Sequence, residues 1–167
     1  EDVLIKQKQI LIFLSSRRNA EALAKRSTPL TSKYLTKDEK TKLAEFSKEI
    51  LNVLEKPTKQ CELLAQCIKN GVAFHHAGLL TKQRHLIEDA YRSRILKVIC
   101  ATPTLALGVN LPSFRSVVRD LKRYDEEFGS DWLPVLEFKQ MIGRSGRPGL
   151  EDYGEGVAIA KTEDDVK

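Results

Sequence analysis

Gln140, Arg144 and Arg147 fall within the run Gln-Met-Ile-Gly-Arg-Ser-Gly-Arg near the end of the chain. On a helix, at about 100° per residue, the three would fan over roughly 60° of one face. Two guanidinium groups and a carboxamide on one face make an anion clamp, because the planar fork of Arg matches phosphate oxygens. Gly143 and Gly146 each cost roughly 1 kcal/mol against Ala inside a helix, which makes sense where something approaches the backbone closely. Val135, Phe138, Met141 and Ile142 point elsewhere and would anchor the helix to a core. Pro148 would then stop it. The plainer reading of these residues is a solvated basic helix end, since Arg suits the negative end of the helix dipole.

Other residues capable of chemistry sit at the ends of short apolar runs. Ile10 to Leu14 reads as a buried parallel strand, followed by Ser15 and Ser16 as caps of a helix that carries Ala20, Leu23 and Ala24. Arg17 and Arg18 fall in its first turn, where cations oppose the dipole by about 0.3–1 kcal/mol each. An anion bound there would offset that cost, and solvated arginines are the alternative. Val72 to His75 is a second strand, leading into His75-His76-Ala77-Gly78-Leu79. A histidine pair can ligate metal, but no acidic or cysteine partner stands at ligand spacing, so no metal site is expected. Packing of these histidines or contact with a nucleic-acid backbone remain open. Ile95 to Ala101 is the clearest strand, and Thr102-Pro103 after it reads as N-cap and first turn of a short helix closed by Gly108. Its exposed N–H groups would face whatever lies beyond the strand's carboxyl edge, where open α/β sheets bind ligands.

The remaining segments supply the frame. Ser27 to Lys37, with Pro29, reads as a polar connection. Thr36-x-x-Glu39 is a capping box for a helix with Leu43, Phe46, Ile50 and Val53 on one face. A further helix over about Thr58 to Asn70 would end at Gly71, and Thr81 would cap another through Arg92. Ser116 to Asp120 and Gly154 to Lys161 read as strands, and Thr162 as the cap of a final helix. Between them, Lys122 to Trp132 is a polar excursion with Tyr124, Phe128 and Trp132 and a turn at Gly129. These aromatics could stack on bases or cover a neighbouring domain, and Asp125-Glu126-Glu127 would repel phosphate. The alternation gives an α/β fold, an open, mostly parallel sheet with helices on both faces.

Composition excludes more than it identifies. Hydrophobic residues at 41% and charged ones at 31% suit a globular domain of 167 residues with a real core. A net charge of +5 permits an anionic partner without requiring nucleic acid. There is no long apolar run or signal-peptide pattern, so neither membrane nor secretion is expected. Cys61, Cys67 and Cys100 read as small apolar core residues in a reducing compartment. The start without Met and the end inside a charged run suggest a piece of a longer protein. The sequence has no G-x-x-x-x-G-K-[ST] phosphate loop, and Gly154-x-Gly156 enters a strand rather than a helix.

Three segments in order, Ile10–Arg18, Ala101–Pro112 and Gln140–Arg147, resemble motifs IV, V and VI of superfamily 2 helicases. The run Ala-Thr-Pro-Thr-Leu-Ala-Leu-Gly-Val-Asn-Leu-Pro is similar to the Ski-type motif V. The segments Arg-Asp-Leu-Lys-Arg-Tyr, Phe-His-His-Ala-Gly-Leu and Gln-Met-Ile-Gly-Arg-Ser-Gly-Arg-Pro resemble archaeal repair helicases of the Hjm type, relatives of the helicase part of DNA polymerase theta. The resemblance runs from about Ile10 to Lys161 and is weakest over Ser27 to Lys59. It implies that residues 1–167 form a second RecA-like domain, one half of an ATP-driven 3′-to-5′ DNA motor. The first domain of the same protein would carry the phosphate loop and the Mg²⁺ ligands. By the same resemblance, Arg144 and Arg147 reach the γ-phosphate of ATP, one as arginine finger, and Gln140 orients it. Gly108, Asn110 and Gly143 lie near the nucleotide. Ser15, Arg17, His76, Gly78, Thr102 and Thr104 hold phosphates of single-stranded or forked DNA. Tyr124 and Phe128 stack at the fork, on an excursion placed where this branch has a strand-separating hairpin. A cytoplasmic, nucleoid-associated place follows if the source is archaeal. The competing readings are a Ski-type RNA helicase domain and a nucleic-acid-binding module without ATPase work. The motor reading requires Arg144 and Arg147 to face an open edge rather than internal carboxylates.

Overall fold

The computed structural model describes residues 1–125, 129–146 and 152–163, with the backbone alone at Leu107, Tyr124, Asp125 and Ser130. Phe128, Arg147, Pro148 and any helix after Thr162 therefore lie outside the described residues, as does the side chain of Tyr124.

Five parallel strands form the sheet: β1 (Ile10–Phe13), β2 (Val72–His75), β3 (Val98–Ala101), β4 (Arg115–Val118) and β7 (Glu155–Ala158), in the order β2-β3-β1-β4-β7. The continuous apolar runs explain the layout. β2 and β3 are buried at every position, as strands covered on both faces must be, whereas β7 is an exposed edge. The α-helices among the described residues are α1 (Asp2–Ile5), α2 (Arg17–Thr31), α3 (Lys37–Leu51), α4 (Lys59–Ile68), α5 (Thr81–Arg92), α6 (Thr104–Gly108) and α7 (Val135–Ile142). The crossover from β1 to β2 travels one way across the sheet, and the later ones travel the other. Right-handed crossovers then put α2 to α4 on one face and α5 to α7 on the other. This is the open, mostly parallel sheet with helices on both faces expected from the alternation, and the RecA-like arrangement that the resemblance implies. The polar excursion folds into an antiparallel hairpin of β5 (Lys122–Asp125) and β6 (Gly129–Trp132), with Gly129 at φ +73°.

The registers align every carboxyl end. His75 and Phe13 pair with Ala101, Phe13 with Val118, and Val118 with Ala158. Ser15, His76, Thr102, Asp120 and Lys161 therefore leave the sheet along one edge.

Local chemistry accounts for the elements, including those the sequence misplaces. The Thr36–Glu39 capping box forms in both directions, at 3.2 and 2.8 Å. The other oxygen of Glu39 meets the ammonium of buried Lys97 at 2.5 Å, so one carboxylate caps α3 and neutralises the residue that leads into β3. Ser27 to Thr31 is helical, not a connection, despite Pro29. Proline removes the donor that would reach the carbonyl of Lys25, but the Thr28 hydroxyl donates to that carbonyl at 2.8 Å. Thr81 is the first residue of α5 rather than its cap. Leu80 holds the cap position, and its N–H donates to the Gln83 side chain at 3.3 Å. α6 starts one turn position late, with Pro103 as cap, because the Thr102 carbonyl accepts from Leu105 N–H in a tight entry turn. The three cysteines are buried and free.

The largest departure concerns α7. It ends at Ile142, so Gln140 and Arg144 do not share a helix face, and Arg147 lies outside the described residues. The backbone beyond Gly143 is claimed by a different partner. Ser113 N–H donates to the Arg144 carbonyl and Gly146 N–H to the Ser113 carbonyl, both at 2.8 Å. This parallel bridge to the segment before β4 requires an extended path, and Gly146 makes the exit at φ +93°. Val135, expected in the core, is 69% exposed, while Met141 is buried and Phe138 and Ile142 pack partly against the core.

Candidate functional site

Two groups of the expected residues come together, one at each end of α6. At the carboxyl edge a cavity of about 380 Å³ is lined by Ser15, Ser16, Arg17, Ala77, Thr102, Pro103 and Thr104 from the loops after β1, β2 and β3. Arg123 and Leu133 of the hairpin base, with Glu137 of α7, close its far side. Ser16 is spent as the N-cap of α2, accepting from Asn19 N–H at 3.2 Å. The Thr102 and Thr104 hydroxyls lie 3.0 Å apart. Ser15 is bound from behind: its N–H and hydroxyl both donate to Asp120, at 3.0 and 3.1 Å. The groove thus presents hydroxyls and the first-turn Arg17, with Arg123 held to Glu137 at 3.1 Å.

His76 does not present its ring to this groove. It is fully buried and stacked on Phe74 at 5.5 Å, with Nε2 3.0 Å from a Glu21 oxygen. The Gly78 N–H donates to Nδ1 at 3.1 Å, which fixes Nδ1 as the acceptor and Nε2–H as the donor to Glu21. His76 therefore shapes the loop, and only the loop's outer residues reach the groove. A side chain at Gly78 would sit 3.0 Å from that ring and 3.3 Å from the Arg17 guanidinium, so glycine lets Arg17 lie across the loop.

This arrangement should make the fold acid-sensitive. Burial pushes the His76 pKa down, and Glu21, which favours the charged ring, does not restore it. Burial does the same at His75, which faces Glu88 at 2.9 Å. A depressed histidine pKa means that the unfolded chain binds protons first as pH falls below about 6.5. Stability is then full above that pH and is lost on acidification toward the folded pKa. Urea unfolding at pH 7.5 and 5.5 should show a lower midpoint at 5.5, and His76→Gln should shrink the difference. An unchanged difference would remove His76 as its source.

At the other end of α6, Arg144 reaches back from the turn after α7. Its guanidinium donates to Asn110 Oδ1 at 3.1 Å and to the carbonyl of Ala106. Both acceptors are neutral, and among the described residues no carboxylate pairs with it, so its charge is not cancelled. Gln140, one turn earlier, has a buried carboxamide oxygen with no hydrogen-bond partner among the described residues. Gly108 lies in open space, and Gly143 is exposed at the C-cap of α7, where a Cβ would meet the Lys139 carbonyl at 2.9 Å. Arg144 and Asn110 are thus brought together, with Gly143 next to Arg144 in the chain and Gly108 two residues before Asn110. Arg147 belongs to this group by sequence but lies outside the described residues.

Sequence reasoning missed three participants: the Ala106 carbonyl, the Arg123–Glu137 pair and Asp120. Only Asp120 had a visible signal, as an acid closing the segment that reads as a strand from Ser116. It is 5% exposed and accepts from Ser15, Arg119 and Lys161. Burial alone would raise its pKa, but these donors outweigh burial and hold the carboxyl below its usual range. Among the described residues no group of three or more His, Cys, Asp and Glu could hold a metal ion, and no helix is long and apolar enough to cross a membrane.

The chain's relatives include the ATP-dependent DNA helicase Hel308 of Methanococcus vannielii, 50% identical over 157 residues, 94% of this chain and 20% of that protein. Those of Methanocella arvoryzae and Pyrococcus horikoshii are 49% and 41% identical over 98% of this chain and 22% of each relative. The chain thus spans about a fifth of the length of these relatives. Residues 53–149 match the model of the helicase conserved C-terminal domain, a stretch holding α6, the hairpin and the α7 turn. This chain belongs to the helicase conserved C-terminal domain family.

Proposed function

We propose that residues 1–167 are the second RecA-like domain of an ATP-dependent DNA helicase moving 3′ to 5′, with a first domain of the same longer protein completing the motor. One observation carries the reading. Among the described residues Arg144 meets only neutral acceptors, the Asn110 side chain and the Ala106 carbonyl, and no carboxylate. A guanidinium held in this way is suited to an anion that the domain does not itself contain. A simple binding module has no need of such a group.

ATP is such an anion. When bound, it supplies the phosphoryl group whose transfer to water drives movement. Arg144 and Arg147 stabilise the charge that develops on that group, an electrostatic role. Gln140, on α7, orients that group and links it to the first domain. Mg²⁺ is held by carboxylates of the first domain. In the groove, Ser15, Arg17, Thr102 and Thr104 hold backbone phosphates of single-stranded or forked DNA, contacts that grip any sequence. DNA is preferred to RNA because the relatives bear the name of DNA helicases. α6 couples the two sites, since Thr102 and Thr104 stand at one end and Ala106 and Asn110 at the other. A shift of Arg144 toward nucleotide then moves the strand contacts, a hinge-type change.

Two assays test this. The chain alone should turn over ATP at background, and joining it to the N-terminal half should restore turnover that single-stranded DNA stimulates. Background turnover in the joined protein would contradict the motor reading. In that protein Thr102→Ala should weaken single-strand binding by roughly tenfold, the worth of one hydrogen bond to a charged group, and abolish DNA stimulation while basal turnover persists. Unchanged stimulation would remove the coupling role of α6.

A further inference from the structure

Asp120 lies two residues beyond β4, buried at the carboxyl edge of the sheet. A carboxylate so enclosed needs donors on every side, and this one draws them from three strand exits. Its Oδ2 accepts from the Ser15 N–H at 3.0 Å and from the Ser15 hydroxyl at 3.1 Å. Its Oδ1 accepts from the Arg119 guanidinium at 3.1 Å and from the Lys161 ammonium at 2.6 Å. The register explains the meeting. Phe13 pairs with Val118 and Val118 with Ala158, so the residues just past β1, β4 and β7 leave the sheet side by side.

The two oxygens divide the task. Oδ1 anchors the carboxylate to cations, and Oδ2 holds one residue of the groove. Ser15 directly precedes Ser16, whose extended backbone (φ −140°, ψ 154°) and hydroxyl cap α2. Arg17 is the first residue of that helix, and Ser15, Ser16 and Arg17 all line the groove. Fixing the Ser15 N–H therefore fixes where α2 begins and where Arg17 stands. The hydroxyl is held as well. A serine has a single proton to give and an ionised carboxylate can only accept, so the Ser15 proton is committed to Asp120. A phosphate can take it only by drawing the hydroxyl round, while the N–H bond keeps the loop in place.

We infer that Asp120 is a positioning residue for strand binding: it sets the loop from Ser15 to Arg17 in the shape that meets a backbone phosphate, and it keeps the Ser15 proton turned inward until one arrives. This rests on the proposed function for the identity of the groove. The charge of Asp120 works the other way. A carboxylate beside a phosphate site repels the strand, so by charge alone its removal should tighten binding. A positioning role predicts the opposite sign.

Equilibrium binding of a single-stranded oligonucleotide to the full-length helicase, without ATP, reads that sign. Asp120→Asn should weaken binding about tenfold, the worth of a hydrogen bond to a charged group. The amide oxygen stays with the donors Arg119 and Lys161, which turns the amide N–H groups toward the Ser15 N–H and breaks that bond. In an Arg17→Ala background the same substitution should cost no more than about threefold, since a contact that it positions is gone. Unchanged or tighter binding by Asp120→Asn in a protein that melts like the parent, or an equal loss with and without Arg17, would overturn the inference. Asp120→Glu serves if the amide variant does not fold. It keeps the charge, but its extra methylene carries the carboxylate off Ser15, so binding should again weaken, and unchanged binding sinks the inference equally. Failure of the groove reading would show instead in Arg17→Ala alone, which leaves Asp120 in place and would then bind the strand as the parent does.

Discussion

Arg144→Ala in the joined protein should lower ATP turnover by roughly 10³-fold, the scale on which arginine fingers act in phosphoryl transfer. Nucleotide binding should change far less, because the charge that Arg144 meets develops in the transition state. Arg144→Lys should not rescue turnover. An ammonium keeps the charge but lacks the fork, and Arg144 already uses two of its nitrogens on Asn110 and Ala106. A purely structural Arg144 would behave differently. It would lower thermal stability through the loss of those two bonds and leave turnover per folded molecule near the parent's. Steady-state turnover beside a melting curve separates the two outcomes.

The second large effect is on stability. Glu39→Ala should destabilise the chain by about 3 kcal/mol, because it leaves the buried Lys97 ammonium without its partner. It also deletes the reciprocal half of the α3 capping box. At about 2–4 °C per kcal/mol for a domain of this size, the melting temperature should fall by about 10 °C. The Glu39 pKa lies below its usual value; burial works against this, and the bonds to Lys97 and Thr36 prevail. Adding Lys97→Met to Glu39→Ala should recover most of the loss, since an apolar pair avoids the desolvation of two charges. If the double variant is no more stable than the single one, the cost does not lie in the stranded ammonium.

What the sequence reveals depends on whether local rules or tertiary partners decide each residue. β1, β2 and β3 were legible because their apolar runs have no other use, and the capping box because both of its bonds close within four residues. Pro29 misled because its remedy, a hydroxyl from Thr28 to the Lys25 carbonyl, is not part of the rule that proline breaks helices. The end of α7 could not be read locally, because it is set by Ser113, some thirty residues earlier in the chain. The same long-range pairing changed the clamp: Arg144 works from a turn, against Ala106 and Asn110, rather than from a helix face. His76 shows the converse. Its position beside the groove was legible, but its ring is turned inward by Glu21 of α2 and the Gly78 N–H. Asp120 was passed over because its importance comes from Ser15 and Lys161, which only the parallel register brings to it.

The most direct measurement is a structure of the joined protein with ADP and aluminium fluoride, which imitates the phosphoryl group in flight. The account requires a guanidinium nitrogen of Arg144 within about 3 Å of a fluoride, hydrogen-bond distance, with α6 displaced together with Thr102. A structure with the site closed on nucleotide, Arg144 still on Asn110 and Ala106, and donors from elsewhere on the fluorides would contradict it.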